Sequence, residues 1–201
     1  MHVEGICGPR AVGDGTDIEF RLTKDTSIGV QDTHARYQEA VYRGNVFTAC
    51  SQSAVTFAVG ASAGTATWAL YNPLNSGKNC VLISQQFAFS APPAAAVVIW
   101  GGVVTSQNSV PTGVTQLTTQ ASLLGAGINS VAKVYSAATV TAAPILMRIL
   151  GSVVAASSIT PPIINDEVAG QIIVAPGSVY VIQATAAASG YISGTWEEIN
   201  V

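Results

Sequence analysis

Charge is what this chain has least of. Only 9% of its 201 residues are Asp, Glu, Lys or Arg, where a soluble domain typically carries about 25%. The net charge is −3 with no basic stripe, which excludes the phosphate neutralisation that non-specific nucleic-acid binding requires. Histidine is nearly absent, with His2 and His34 alone. Three cysteines, Cys7, Cys50 and Cys80, include no C-x-x-C pair, and no N-x-S/T sequon occurs. The expectation is reduced, mostly buried thiols, with a Cys50–Cys80 disulfide as the lesser alternative. The start, MHVEGICGPR, has neither a basic nor an apolar region of signal-peptide type. The longest apolar run, Ala94 to Val104, is far below the roughly 20 residues of a membrane-spanning helix. No membrane role is expected.

The charges that do exist are unevenly placed. Twelve of the nineteen lie in residues 1–44, five basic and seven acidic. The remaining seven are Lys78, Lys133, Arg148, Asp166, Glu167, Glu197 and Glu198. A body so poor in charge either hides surface against partners or relies on Ser, Thr, Asn and Gln for solubility. The stretch ARYQEAVYRGNVF, residues 35–47, marks the change between the two regions. We therefore divide the chain into an extended N-terminal arm and junction, 1–44, and a domain, 45–201.

Within the domain, short runs rich in Val, Ile, Thr and aromatics alternate with Pro/Gly turns. AVTFAV (54–59), ATWALY (66–71), CVLISQQFAFS (80–90) and AAAVVIWGGVVT (94–105) read as strands. SVAKVYSAATV (130–140), ILMRILGSVV (145–154), the two halves of QIIVAPGSVYVIQATAA (171–187) and GYISGTWEEI (190–199) continue the series. Residues 106–127 read as a long polar loop with a short helix or strand, and TPPIINDEVAG (160–170) as a loop. In the leader, IEFRL (18–22) alternates, and THARYQEAVYRG (33–44) is the one helix candidate outside the central loop, with Thr33 as N-cap and Gly44 as stop. Eight or nine strands with no long amphipathic helix predict an all-β sandwich of jelly-roll type.

Catalytic chemistry finds little to stand on. Both histidines lie in the leader, so the domain supplies no base for a serine or cysteine nucleophile. Asp166–Glu167 and Glu197–Glu198 are adjacent pairs, whose members point to opposite faces of a strand and do not flank one bond. They read as solvated loop and terminal charges. GDGTD (13–17) lacks the spacing and distal Glu of a calcium loop. GAGINS carries no Lys-Ser/Thr, so it is no phosphate loop. Trp68, Trp100 and Trp196 sit in apolar strand contexts and read as core or interface rather than as a sugar platform. The expectation is a protein that is not an enzyme and needs no cofactor or metal.

The pieces ARYQEAVYRGNVF, YNPLNSGKNCVLI, VAPGSVYVIQATAAASG and TWEEI, together under a third of the chain, resemble virion structural proteins of tailed bacteriophages, nearest to capsid decoration (cement) proteins. The resemblance implies a β-sandwich, often a homotrimer, on the outer capsid surface, where extended arms tie neighbouring capsomers of the major capsid protein together. Arg36, Tyr37, Tyr42 and Arg43 are the candidate interface residues at the junction, Arg and Tyr being enriched in interface hot spots; capping of the sandwich's own core is the equal alternative. Two further readings compete. A phage tail or host-recognition module binding surface glycans predicts exposed aromatics at loop ends. A small-virus jelly-roll coat predicts a basic arm, which this acidic-leaning leader is not.

Overall fold

A computed structural model describes residues 4–7, 16–19, 35–60, 65–104, 110–112, 115–155 and 163–201. The chain divides into two compact units, Met1–Arg36 and Tyr37–Val201. In the smaller, β1 (Glu4–Cys7) and β2 (Thr16–Glu19) pair antiparallel, with Glu4 opposite Glu19 and Cys7 opposite Thr16. These are the strands described in the leader, expected as extended with one short helix. The alternating run at 18–22 starts inside β2; Thr33 and both histidines lie outside the described residues.

The larger unit opens with α1 (Gln38–Tyr42), one turn long and shorter than the helix expected over 33–44. Tyr37 occupies the N-cap position and no side chain caps the first turn. Its end is the expected one: Gly44 takes φ +73°, and the Gly44 and Asn45 amides donate to Val41 and Ala40 carbonyls at 2.9 and 3.0 Å. A Cβ at Gly44 would overlap Ile128.

Among the described residues twelve strands follow: β3 (Val46–Cys50), β4 (Val55–Thr56), β5 (Ala66–Tyr71), β6 (Lys78–Phe89), β7 (Val97–Val104), β8 (Thr115–Leu117), β9 (Thr119–Ala121), β10 (Lys133–Ala138), β11 (Ile145–Val153), β12 (Ile163–Val174), β13 (Val179–Ala184) and β14 (Ser189–Asn200). The three shortest, β4, β8 and β9, exceed the eight or nine expected. One antiparallel sheet runs β12-β6-β14-β3-β9, with β4 also on β14; the other runs β11-β7-β13-β5-β10-β8. Together they make the all-β sandwich.

Two assignments change. AVTFAV shrinks to β4, because Phe57 turns into the core and Val59 makes a single parallel bridge to Ala184. Residues 163–170, expected as loop, belong to β12. Their polar run Asn165-Asp166-Glu167 is accommodated because β12 is a terminal strand whose partners there, Gln86, Gln85 and Ser84 of β6, are polar too. The ladder breaks between Glu167 and Ile172, where Ala169 and Gly170 take positive φ.

The main core lies between the sheets. Trp68, Leu70, Tyr180 and Ile182 from one sheet meet Phe47, Leu82, Phe87, Ile192 and Trp196 from the other. Phe47 stacks on Trp196 with ring centroids 6.3 Å apart. Gly194 leaves room for the Trp68 indole, which would sit 2.7 Å from a Cβ there. The alternate residues of β5 and β13, Ala69, Tyr71, Val179 and Val181, are buried in a second cluster with Val104, Tyr135 and Val140. These central strands are therefore buried on both faces, which explains their unbroken apolar sequences.

Candidate interface

The four junction residues lie on and beside α1. Arg36 is exposed in the turn before the helix, and Tyr37 is half-buried at its N-cap position. Tyr42 accepts a hydrogen bond from Gln38 Nε2 at 3.0 Å. Arg43 Nε donates to Glu39 Oε1 at 3.0 Å, a pair exposed on both sides. The helix itself buries no residue completely. One turn of helix thus gathers Tyr42 and Arg43 with their intrahelical partners.

A second candidate surface escaped the sequence reading. β11 and β12 are the terminal strands of the two sheets, and they close one side of the sandwich together. Arg148 spans the gap: its Nε and Nη2 donate to Asp166 at 2.8 to 3.2 Å, and its Nη1 donates to Gln171 Oε1 at 2.9 Å. The bond to Asp166 raises the Arg148 pKa, holding the guanidinium charged. Gly151 fits against Ile164, which would lie 2.9 Å from a Cβ at that position. Around this bridge large apolar side chains open to solvent, from Leu146 at 50% to Ile163 at 74%, share the two strands with exposed Ser152, Asn165, Glu167 and Gln171. A groove of about 340 Å³ runs beside them, lined by Met147, Ile172, Ile173, Val174 and Tyr180 among others.

Beneath the groove lies a buried polar pair. Gln85 Nε2 donates to Tyr180 Oη at 3.2 Å across the core. Burial pushes the Tyr180 pKa up to about 12, the Gln85 bond lowering it and Asp166 adding to the rise. Gly101 is obligatory here, since a Cβ would overlap the Tyr180 hydroxyl.

Of the two carboxylate pairs expected to be solvated, Glu167 is exposed, whereas Asp166 and Glu198 are not free in solvent. Asp166 is engaged by Arg148. Glu198 is 1% exposed; its Oε1 accepts from Ser130 Oγ at 2.5 Å, the Val131 and Ala132 amides at 3.0 and 3.1 Å, and Trp196 Nε1 at 3.3 Å. Lys78 Nζ stands 3.8 Å from Oε2. This carboxylate pins the segment before β10 to β14. The Trp196–Glu198 spacing, i and i+2 on one strand face, was the available signal.

Cys50 and Cys80 are free thiols, as the leading expectation held. Burial drives the Cys80 pKa far up, Glu198 adding to the shift and Lys78 opposing it, so this thiol is held unreactive. All three tryptophans are buried, so none is offered to a sugar ring. A polar groove of about 420 Å³, lined by residues such as Ser51, Gln52, Thr56, Gln116 and Thr118, contains no aromatic side chain. Among the described residues no group of three or more His, Cys, Asp or Glu converges as metal ligands, and no helix is long and apolar enough to cross a membrane.

Comparison with protein-family models gives no match, and searches of curated proteins and of solved structures return none either.

Proposed function

We propose that the chain is a virion structural protein of a tailed bacteriophage, a decoration protein that binds the outside of the assembled head and strengthens contacts between copies of the major capsid protein. The observation that carries this reading is a charge-poor sandwich with an apolar rim: six large aliphatic side chains half or more exposed on β11 and β12. Such a surface suits a wide contact rather than a small ligand. The strand order supports a jelly-roll sandwich. β3-β14-β6-β12 in one sheet and β5-β13-β7-β11 in the other is the order that two interleaved Greek keys produce.

In this reading the leader, 1–44, supplies polar contacts to the capsid shell, with Arg36, Tyr37, Tyr42 and Arg43 at its junction. The sandwich associates with its own copies as a homotrimer. A chain that binds only assembled heads stabilises them by mass action. The test is sedimentation of the full-length chain with heads assembled from the same virion's major capsid protein, beside a form lacking 1–44. The reading expects saturable co-sedimentation that is lost on deletion. Full-length chain that stays in the supernatant at all concentrations overturns it. The glycan-binding alternative needs exposed aromatic platforms, and the burial of Trp68, Trp100 and Trp196 weighs against it.

A further inference from the structure

The outer face of the sheet β12-β6-β14-β3-β9 carries an aromatic ring that the core does not use. Alternation along β14 sends Ile192 into the core and turns Tyr191 and Ser193 outward, Tyr191 at 45% exposure. The register fixes their company. Tyr191 lies opposite Ala88, and Ala88 opposite Ile163, so one row crosses β14, β6 and β12. The next row runs Cys50, Ser193, Gln86 and Asn165. Side chains directly opposite stand about 4.5–5.5 Å apart at Cβ, and diagonal ones about 7–8 Å. A ring with an apolar flank thus stands one step from two carboxamides and a hydroxyl. A groove of about 240 Å³ lies here, lined by Tyr191, Gln86, Ser193, Ile163 and Cys50 among others.

The chemistry of these rows selects the ligand. One row further on, Thr48 and Thr195 spend their hydroxyls on each other, with the oxygens 3.1 Å apart. Among the described residues no such bond engages the side chains of Gln86, Asn165 or Ser193. Carboxamides and hydroxyls both donate and accept, which matches a ligand whose groups do the same. A pyranose ring is such a ligand: its C–H face packs on an aromatic ring while its hydroxyls reach polar groups at the edge. The buried tryptophans offer it no platform, but Tyr191 does. The groove is smaller than the roughly 300–1,000 Å³ of pockets that enclose a drug-sized ligand, so it suits one ring laid on the surface. Charge narrows the class further. Neither row carries a charged side chain, and the next row brings the exposed carboxylate of Glu167, opposite Ser84. An acidic sugar would meet it as a like charge.

We propose that this face is a binding subsite for a neutral sugar ring, with Tyr191 as the stacking platform and Gln86, Asn165 and Ser193 as the hydroxyl-binding side chains. The subsite adds to the capsid role and does not rest on it. The test presents the full-length chain with neutral gluco-, galacto- and manno-oligosaccharides and with their uronic-acid counterparts, read by saturation-transfer NMR and calorimetric titration. One stacked ring with a few exposed hydrogen bonds binds weakly, so dissociation constants on the order of 0.1–10 mM are expected. Tyr191→Ala should weaken binding of the responding neutral sugar about tenfold or more, and Gln86→Ala about threefold to tenfold. Tyr191→Phe, which keeps the ring, should stay within about threefold of the parent.

Melting profiles of these variants should match the parent's, since Tyr191 and Gln86 are open to solvent. Cys50 supplies a second readout. The responding sugar at saturation should slow alkylation of Cys50, followed by mass mapping of its peptide, and should lose that effect in Tyr191→Ala. No response from any neutral sugar up to about 20 mM overturns the proposal. So does an affinity unchanged in Tyr191→Ala, or tighter binding of the uronic-acid forms. Head binding is scored separately. Tyr191→Ala that loses the sugar yet still sediments with heads supports the proposal. A parent that binds no neutral sugar, with head binding lost in Tyr191→Ala, makes the face a capsid contact, overturning this proposal while leaving the functional reading intact.

Discussion

Replacing Glu198 by Ala removes the acceptor that holds the start of β10 against the C-terminal strand. Four donors lose this acceptor: the Val131 and Ala132 amides, the Trp196 indole N–H and the Ser130 hydroxyl, of which the last retains the Ala132 carbonyl at 3.1 Å. The carboxylate is 1% exposed, so water does not replace it without local opening. A buried donor left unmade costs about 1–3 kcal/mol, and removing one partner of a buried charged cluster typically costs about 3–5 kcal/mol. Partial refilling of the space by water brings the three uncompensated losses to the same range, so we expect about 3–5 kcal/mol, a large share of a stability of roughly 5–15 kcal/mol. Glu198→Gln keeps one oxygen for the Oε1 donors but places an NH₂ group near Lys78 and the Val131 amide. It should cost less, about 1–2 kcal/mol. Urea unfolding followed by tryptophan fluorescence and circular dichroism measures both, with an unchanged slope showing that the same surface is exposed. A loss below about 1 kcal/mol for Glu198→Ala would refute the view that this carboxylate is structural.

Three further outcomes follow from the same geometry. Stability should fall at alkaline pH. The unfolded Tyr180 ionises near its ordinary value of 10 and the folded one near 12, so between those values the native state holds the extra proton and each pH step favours unfolding. About 2–3 kcal/mol should be lost by pH 12 from this group, and urea titrations of Tyr180→Phe across that window should be flatter. Gly101→Ala should cost about 1–3 kcal/mol by overpacking, and combining it with Tyr180→Phe, which removes the overlapping hydroxyl, should recover part of that loss in a double-mutant cycle. Cys50, half-buried, should react with a thiol reagent in the native protein, whereas Cys80 should react only at the rate of unfolding; mass mapping of labelled peptides distinguishes the two.

The sandwich was legible because its strands obey simple patterns. ATWALY became β5 residue for residue, and β14 alternates buried and open positions along GYISGTWE. Where the pattern failed, an edge was responsible. β12 reads as a loop because Asn165, Asp166 and Glu167 interrupt its apolar run, yet a terminal strand tolerates polar residues that a central one does not. The apolar rim was hidden for the converse reason. ILMRILGSVV has the composition of a core strand, and only the sheet order places it at an edge, with Ile149 65% exposed. Glu198 was misread because a doubled Glu near a chain end looks solvated; its burial depends on Ser130 and Val131, 68 and 67 residues away. Long-range contacts of that kind leave no local trace. The helix expected over 33–44, which takes in the four junction residues, is one turn long, and no side chain caps it at Tyr37.

The measurement that bears most directly on the account is calorimetry of assembled heads with and without a saturating excess of the full-length chain. A protein that binds only the assembled form raises the temperature at which that form disrupts, by an amount that grows with free chain concentration. The account predicts such a rise, lost when residues 1–44 are removed. A disruption temperature indifferent to the chain at every concentration would contradict it.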